Sequence, residues 1–300
     1  MIDAICEVPT KQNFRVSIGM PVFNAEKYLR QALNSLLSQS FGDFELIISN
    51  NGSIDCTEEI CKEYSLKDSR IKYYNQEENM GASWNFNYVF NLASGDYFMW
   101  AAHDDLWHPD YLKTCVNILD TKPKAVLCYT STKEINEFGQ TFNINFSIKP
   151  DLYSPSVYKR LSASWRYPPQ ILVFGLIRRE ILKKTHLIGD FSASDQVLVS
   201  ELALAGQMLG IKDYLFYYRR HKEQSTAQQY PTMRSRESWY NPKKNKAVTF
   251  PWWRVLRENV YAISNAQISL ATRLQCYLSM FRWVVRKRRH LLHELVLRDN

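Results

Sequence analysis

The sequence lacks the signatures of several large classes of protein. No G-x-G-x-x-G follows the first predicted strand, which argues against a nicotinamide-dependent enzyme, and the absence of G-K-[ST] argues against a P-loop enzyme. No stretch approaches the roughly 20 apolar residues that a membrane-spanning helix needs, and the N-terminus has no apolar run of signal-peptide length. By elimination, we expect a soluble, cytoplasmic protein.

The spacing of the cysteine, glycine and proline residues indicates neither a zinc site nor a repetitive fold. The six cysteines form no CxxC pair, and Cys56 and Cys61 are five apart, a poor spacing for zinc. We expect free thiols in a reducing compartment. The 11 prolines and 10 glycines follow no repeating period, which excludes collagen-like and low-complexity chains. A chain of 300 residues with 45% hydrophobic and 23% charged residues is an ordinary globular protein.

The net charge of +8 is unevenly distributed along the chain. Residues 1–210 contain 20 Lys and Arg against 24 Asp and Glu, a balance of −4. Residues 211–300 contain 18 against 6, a balance of +12. Any function that needs a basic surface therefore uses the last third of the chain.

The first 130 residues alternate between strand and helix patterns. Strand segments separated by helices of 10–15 residues predict βαβ units and a mostly parallel sheet flanked by helices. The predicted strands are Arg15–Met20 (ended by Pro21), Phe44–Ser49, Ile71–Tyr74, Tyr97–Ala101 and Ala125–Tyr129. The predicted helices follow Asn24, which we expect to act as a cap, then Asp55, then cover Trp84–Leu92, and finally extend from Pro109 to about Leu119.

The rest of the chain is less regular. We predict a strand over Ile171–Ile177, a helix from Asp195 to about Ala205 and a strand over Ile211–Tyr218. The predicted organisation is an N-terminal extension (1–14), a catalytic domain (15–221) with a donor-binding half (15–130) and an acceptor-binding half (131–221), a loop or lid (222–250), and a basic helical C-terminal region (251–300).

Polar clusters follow two of the predicted strands. One cluster covers residues 50–53, and the other contains His103, Asp104 and Asp105. In parallel sheets, ligands bind at the carboxyl ends of the strands, which is where both clusters fall. Adjacent carboxylates repel unless a cation compensates, so Asp104 and Asp105 suggest a divalent ion that bridges a diphosphate. The alternative is that one aspartate only caps the next helix.

Four motifs in order resemble family 2 glycosyltransferases. They are VSIGMPVFNAEKYLRQALNSLLSQSFGDFELIISNNGSIDCT, NMGASWNFN, ASGDYFMWAAHDD and the Pro109-Asp110 pair, which together cover about residues 15–130; the resemblance reappears near Asp195. The resemblance implies the GT-A fold, a nucleoside-diphosphate-sugar donor, a divalent metal (Mn²⁺ or Mg²⁺) and inversion at the anomeric carbon.

The resemblance also implies site residues. Asp104 would bind the metal, with Asp105 as its neighbour behind the metal site or on the ribose side, and an acidic residue at a helix start, here Asp195, would be the catalytic base. The residues implied to contact the nucleotide are Pro21, Phe23, Asn24, Asn50, Gly52, Ser53, Gly81 and Asn85. The chain departs from the family pattern at Asn50, usually Asp, and at Ala102, where a first carboxylate is usual. Asn50 still offers an acceptor and a donor that suit uracil or thymine, so a UDP- or dTDP-sugar is expected.

Two further candidates depend on the same resemblance. An acceptor hydroxyl needs a base, and Asp195 would take its proton, although Asp is also an ordinary N-cap residue. The segment that ends in Arg219, Arg220 and His221 is similar to a family Y-R-x-H segment, which implies diphosphate contact for Arg219 and metal contact for His221; the alternative is a basic surface turn. The Q-x-x-R-W segment of processive synthases is absent, which favours single addition.

These observations predict a glycosyltransferase of cell-surface glycan or polysaccharide biosynthesis, with a glycan or lipid-linked acceptor. Two alternatives stay open: a nucleic-acid or acidic-surface binding module, suggested by the basic last third, and an inactive relative that binds a nucleotide sugar.

The last predicted helix carries an amphipathic pattern of its own. Leu274, Leu278, Phe281 and Val285 recur at helical spacing, and Arg282, Arg286, Lys287, Arg288 and Arg289 crowd the same stretch. This pattern indicates either a helix packed on the catalytic domain or an in-plane helix on the anionic inner face of a membrane. We expect no nucleic acid there, because the aromatic residues lie on the apolar stripe and not among the charges.

Overall fold

The computed structural model describes residues 14–145, 149–167, 169–222, 224, 233–244 and 250–296. The strands are β1 (Val16–Val22), β2 (Phe44–Asn50), β3 (Ile71–Asn75), β4 (Tyr97–Trp100), β5 (Leu106–Trp107), β6 (Ala125–Ile135), β7 (Thr141–Asn145), β8 (Leu176–Arg178) and β9 (Gln207–Arg219). The α-helices are α1 (Leu29–Leu37), α2 (Thr57–Lys67), α3 (Ala82–Asn91), α4 (Tyr111–Thr121), α5 (Val157–Ser164), α6 (Pro169–Val173), α7 (Arg179–Leu182), α8 (Ser194–Ala205), α9 (Met233–Tyr240), α10 (Pro251–Asn265) and α11 (Leu270–Val296). Residues Pro150–Tyr153 and Pro242–Lys244 form short 3₁₀ turns.

The described strands form one sheet in the order β3-β2-β1-β4-β8-β6-β9-β5, with β7 added to β6 as a hairpin. The first four strands in that order are parallel, as is the β6–β9 pair, whereas β8, β7 and β5 run antiparallel to their neighbours. Because β1 lies between β2 and β4, the loops that leave these three strands share one edge of the sheet.

The N-terminal half follows the sequence pattern closely. All seven residues of β1 and all seven of β2 are buried, as expected for parallel strands covered by helices on both faces. Helix α1 packs its apolar face, Leu29, Ala32, Leu33 and Leu36, into the same core. The predicted strands and helices of residues 15–130 are confirmed in type and order, with ends shifted by a few residues.

Two local predictions are wrong. Strand β1 does not end before Pro21 but continues to Val22, because β4 pairs with β1 only as far as Gly19 and Pro21 needs no N–H on that side. The segment Ile171–Ile177 is not one strand: its first part belongs to α6, and only Leu176–Arg178 pairs in the sheet. When a short segment is buried on several sides, the spacing of its apolar residues does not distinguish a helix from a strand.

The C-terminal region is helical, as predicted. Helices α10 and α11 pack against each other and against α5 and α8, through a cluster that contains Trp165, Val255, Cys276, Met280 and Trp283. Within the described residues, none of the helices is long and apolar enough to cross a membrane. The predicted loop or lid over 222–250 contains α9 and the turn Pro242–Lys244, and most of its other residues lie outside the described ranges.

Candidate active site

The loops after β1 and β2 are joined by side-chain hydrogen bonds. Asn50 accepts two bonds at its Oδ1, from the Ser53 amide (3.2 Å) and the Ser53 hydroxyl (2.5 Å). The Ser53 Oγ in turn accepts the Asn24 amide at 2.9 Å, and the Asn24 Oδ1 accepts the Ile54 amide at 3.0 Å. Three of the residues that the resemblance assigns to the nucleotide, Asn24, Asn50 and Ser53, therefore form one connected cluster at the carboxyl edge of the sheet.

Asn24 does not cap the helix that follows it. Helix α1 begins at Leu29 with Tyr28 before it, whereas Asn24 adopts a left-handed backbone (φ 48°) and uses its side chain across the loop. Asparagine is one of the few residues that tolerate this conformation. Pro21 is buried in β1, and Phe23 remains 40% exposed beside the cluster, so of these two only the Phe23 side chain is accessible to a ligand.

A third loop, residues 76–81, packs on this cluster through Asn51. The Asn51 Nδ2 donates to Asn79 Oδ1 (3.0 Å), and the Asn51 Oδ1 accepts a hydrogen bond from the Met80 amide (3.0 Å). Gly52 (φ 69°) allows the close approach, since a Cβ there would lie 2.7 Å from the Glu78 carbonyl carbon. Sequence reasoning missed Asn51, although its position inside the polar cluster 50–53 was a usable signal.

Gly81 and Asn85, which the resemblance assigns to the nucleotide, contact other parts of the protein. Gly81 has φ 91°, and a Cβ there would lie 2.6 Å from the Tyr240 carbonyl oxygen, so the close approach involves a distant chain segment. Asn85 is buried, and its Nδ2 donates to the Ser49 carbonyl at 3.0 Å. Asn85 therefore holds the end of β2 against α3.

Asp104 and His221 form the most polar contact of the site. Asp104 Oδ2 lies 2.8 Å from His221 Nε2, and the Asp104 side chain remains 14% exposed. Burial pushes the pKa of Asp104 upward, but His103 and the hydrogen bond with His221 outweigh it, so that the pKa is below its usual value. The His221 ring packs on Tyr28, with centroids 4.7 Å apart, which fixes the ring at the start of α1.

Asp105 and Arg219 lie behind this pair. Asp105 is 1% exposed, and its Oδ1 accepts the Arg219 amide at 2.8 Å, while its Oδ2 has no hydrogen-bond partner among the residues that the structure describes. Burial and the neighbouring Asp104 raise the pKa of Asp105 well above its usual range. Because Asp105 is enclosed in this way, its side chain supports the loop of Asp104 and is poorly placed to contact a ligand.

The Arg219 guanidinium is completely buried and contacts protein oxygens. It donates to the carbonyls of Asp104 (2.7 Å), Asn136 (3.1 Å) and Glu137 (3.1 Å) and to Gln31 Oε1 (2.8 Å). The Arg219 Cζ lies 4.6 Å from the Tyr28 ring centroid. Sequence reasoning assigned Arg219 to the donor diphosphate; with these contacts, it positions the loop of Asp104 instead. The four partners come from three distant segments, so the residues around Arg219 carry no signal for them.

Asp195 is in the first turn of α8 but is not its cap. The cap position is Ala193, with a left-handed backbone (φ 66°), and the Asp195 Oδ1 accepts the amide of its neighbour Gln196 at 2.9 Å. The N-cap interpretation is therefore wrong. Burial raises the pKa of Asp195 to about 6, which makes the carboxylate a stronger base than an exposed aspartate.

Helix α9 links the region of Asp195 to the donor-side loops. Ser83 Oγ donates to the Tyr240 carbonyl at 2.9 Å, and the buried Glu237 accepts the Ser192 amide at 2.7 Å. Burial and the Asp195 carboxylate raise the pKa of Tyr240, which indicates that the two side chains are close. Sequence reasoning missed Tyr240, because it lies in a segment predicted as loop.

The residues of the site suit a divalent metal ion if substrate phosphates or water complete its coordination. In the part of the chain that the structure describes, no group of three or more His, Cys, Asp or Glu side chains is arranged to hold an ion. Asp104 Oδ2 and His221 Nε2, 2.8 Å apart, are close enough to share one ion. Mg²⁺ commonly takes one or two protein ligands together with substrate phosphates and water, which suits this pair.

Comparison with known proteins identifies the family. A family model described as glycosyl transferase family 2 matches residues 17–185, more than half of the chain. The chain belongs to glycosyl transferase family 2. This family 2 chain is similar to the minor teichoic acid biosynthesis protein GgaB of Bacillus subtilis, with 27% identity over 239 residues, 76% of this chain and 25% of GgaB. It spans less than half the length of several other curated relatives that it matches.

Solved structures show the fold. The family 2 chain resembles S. aureus TarS 1–349 in complex with UDP, with a TM-score of 0.67 and 19% identity over 95% of this chain and 75% of that one. It also resembles the mannosyltransferase PcManGT from Pyrobaculum calidifontis in complex with GDP-Man and Mn²⁺, with a TM-score of 0.56 and 14% identity over 95% and 86%. The predicted GT-A fold with a helical C-terminal region is confirmed, and its sheet is partly antiparallel.

Proposed function

We propose that this chain transfers a sugar from a nucleoside-diphosphate sugar to an acceptor hydroxyl. The observation that carries the proposal is the Asp104–His221 pair, 2.8 Å apart, at the same sheet edge as the cluster of Asn24, Asn50 and Ser53. The Asp104–His221 pair suits a metal-bridged diphosphate. The cluster of Asn24, Asn50 and Ser53 offers amide and hydroxyl groups to the nucleotide base. The similarity to UDP-bound TarS supports a UDP- or dTDP-sugar.

In this proposal, Asp104 and His221 would hold a Mn²⁺ or Mg²⁺ ion, which would supply positive charge to the leaving diphosphate, as Mn²⁺ accompanies GDP-Man in the similar mannosyltransferase. Tyr28 orients the His221 ring, and Arg219 holds the backbone on either side of the pair. Phe23, exposed beside Asn24, is available for stacking on the base.

The acceptor hydroxyl needs a base, and we assign this role to Asp195. As the acceptor oxygen bonds to the anomeric carbon, its proton passes to the Asp195 carboxylate, and the carbon–oxygen bond to the diphosphate breaks with its electron pair on the diphosphate. A single displacement of this kind inverts the anomeric centre. The raised pKa of Asp195, about 6, supports a base that is ionised at neutral pH and still takes up a proton.

We further propose single addition to a glycan or lipid-linked acceptor of cell-surface polysaccharide synthesis, at the inner face of the cytoplasmic membrane. The similarity to GgaB supports an acceptor of this class, and the lack of a Q-x-x-R-W segment supports single addition.

A thermal-shift panel tests the donor and metal together. The protein is heated with UDP-, dTDP- and GDP-sugars, each with and without Mn²⁺. A ligand that binds only the folded state at 100 times its Kd adds about 2.7 kcal/mol of stability. We expect the largest shift with a uridine or thymidine donor plus Mn²⁺. No shift with any donor, in either metal condition, would contradict the proposal.

A further inference from the structure

The outward face of helix α11 is apolar although the helix already packs on the protein. Its inward face buries Cys276, Met280 and Trp283 against α5 and α10. On the opposite side, a row that we call the apolar stripe is open to solvent. The stripe consists of Leu270, Leu274, Leu278, Phe281, Val285 and Leu292, with exposed fractions from 43% to 70%. The two faces are distinct, so the stripe is not needed for the attachment of α11.

Arginines flank this stripe, and none of them pairs with an acidic side chain among the described residues. Helix α11 contains six Lys and Arg and one Glu, a balance of +5, and the Glu294 carboxylate is buried on the amides of Trp252 and Trp253. Arg282, Arg286, Arg288 and Arg289 are exposed, and within the described residues none of them forms an ion pair with an acidic side chain. At 3.6 residues per turn, Arg282, Arg286 and Arg289 line one border of the stripe.

A groove beside the stripe is lined by both apolar and arginine side chains. It has a volume of about 480 Å³ and is lined by Ser162, Arg166, Phe281, Arg282, Val285 and Arg286. Two apolar side chains and three guanidinium groups thus face one opening, with Arg166 also paired to Asp151 on the surface. Arg binds phosphate oxygens well, and an apolar floor suits the start of an acyl chain.

We infer that α11 docks in the plane of an anionic lipid bilayer through the apolar stripe, with its arginines on lipid phosphates. An amphipathic helix with basic borders and low net hydrophobicity is the type that binds at such interfaces. A second copy of the chain is a poor occupant, because a twofold contact would place the same arginines against each other. The inference does not depend on donor chemistry, since none of these residues belongs to the candidate active site.

Co-sedimentation of the full chain with vesicles tests the inference. Vesicles of neutral phosphatidylcholine are compared with vesicles that contain phosphatidylglycerol, at low and high salt. We expect binding to the anionic vesicles that weakens with salt, because each basic residue near the surface strengthens binding about fivefold. Recovery of the protein in the supernatant with anionic vesicles at low salt would overturn the inference.

Paired variants separate the two contributions. Leu278→Ser with Phe281→Ser should weaken vesicle binding by at least about tenfold, and Arg282→Gln with Arg286→Gln by about 25-fold. The matched controls are Leu66→Ser, 88% exposed on α2, and Lys113→Gln with Lys122→Gln, exposed on and beside α4; both should bind as the wild type does.

Two further measurements keep the outcome unambiguous. Thermal unfolding and UDP-sugar binding should be unchanged in the stripe variants, because these side chains are exposed and distant in sequence from the donor loops. Light scattering should show no dimer that the stripe variants dissociate. Such a dimer, or vesicle binding that the stripe variants leave unchanged, would contradict the inference, as would salt-sensitive binding to single-stranded RNA without vesicle binding.

Discussion

Asp104 and His221 are 117 residues apart in the chain, and their side chains meet at 2.8 Å. The contact joins the loop after β4 to the end of β9, and Arg219 stabilises it by donating to the Asp104 carbonyl. The candidate metal site therefore forms only when the two halves of the sheet are assembled.

Asp104→Asn should remove the effect of Mn²⁺ on donor binding. The neutral amide keeps the shape but loses the charge that attracts the ion, so metal-dependent affinity for a UDP-sugar should fall by at least about tenfold. Calorimetric titration with and without Mn²⁺ measures this loss, and Asp213→Asn, exposed on β9, is the control. Full turnover of the wild type in EDTA would contradict the prediction.

Asp195→Asn should lower the rate of transfer by roughly 10²–10⁴-fold while donor affinity stays near that of the wild type. The wild-type rate should also fall on acidification, because only the ionised carboxylate accepts a proton. With a pKa of about 6, about one tenth of the carboxylate remains ionised at pH 5, so the rate there should be about tenfold below its neutral value. A collapse of donor affinity in the variant would instead indicate a structural role.

The same substitution should stabilise the fold at neutral pH. The pKa of Asp195 is raised from 3.8 to about 6, so the folded state binds the proton more tightly than the unfolded state. The stability that this provides is complete below about pH 4 and is lost as the pH rises through 6. Urea unfolding should therefore show Asp195→Asn gaining about 2–3 kcal/mol relative to wild type between pH 4 and pH 7.5. A pH-independent difference would contradict the raised pKa.

Arg219→Met should destabilise the protein far more than Arg220→Met. Arg219 is fully buried and its guanidinium donates to four protein oxygens, so its removal leaves carbonyls unpaired and should cost about 3–5 kcal/mol. Arg220 is exposed and pairs with Glu134, a contact expected to contribute up to about 1 kcal/mol. Equal midpoints in urea would show that Arg219 is not a structural residue.

Gly81→Ala should cost more stability than Gly139→Ala. Both glycines have a left-handed backbone, with φ 91° and 82°, so both variants incur a penalty of about 1 kcal/mol. Of the two, Gly81 is the one where the new Cβ would also collide with the Tyr240 carbonyl and with Pro242, whereas a Cβ at Gly139 would meet no described atom within 4 Å. The difference between the two variants in thermal unfolding measures the packing of residues 240–242 on the donor-side loop.

Prediction from sequence succeeded where the pattern is local. The strand over Phe44–Ser49 and the helix over Asp195–Ala205 each differ from the structure by one residue. It failed where partners are distant: the residues around Arg219 look like a basic turn, whereas in the fold Gln31, Asp104 and the β6–β7 hairpin enclose it. The spacing of Leu274, Leu278 and Phe281 predicted one helix face, but whether that face is covered depends on α5 and α10.

Tyr240 occupies an unusual position between two parts of the site. Its carbonyl is bound by Ser83, at the start of the helix that follows the donor-side loop, and its hydroxyl group is close enough to Asp195 for the carboxylate to affect its pKa. One residue thus packs on the donor-side helix through its carbonyl and on the proposed base through its side chain, so a substitution at Tyr240 would disturb both parts of the site.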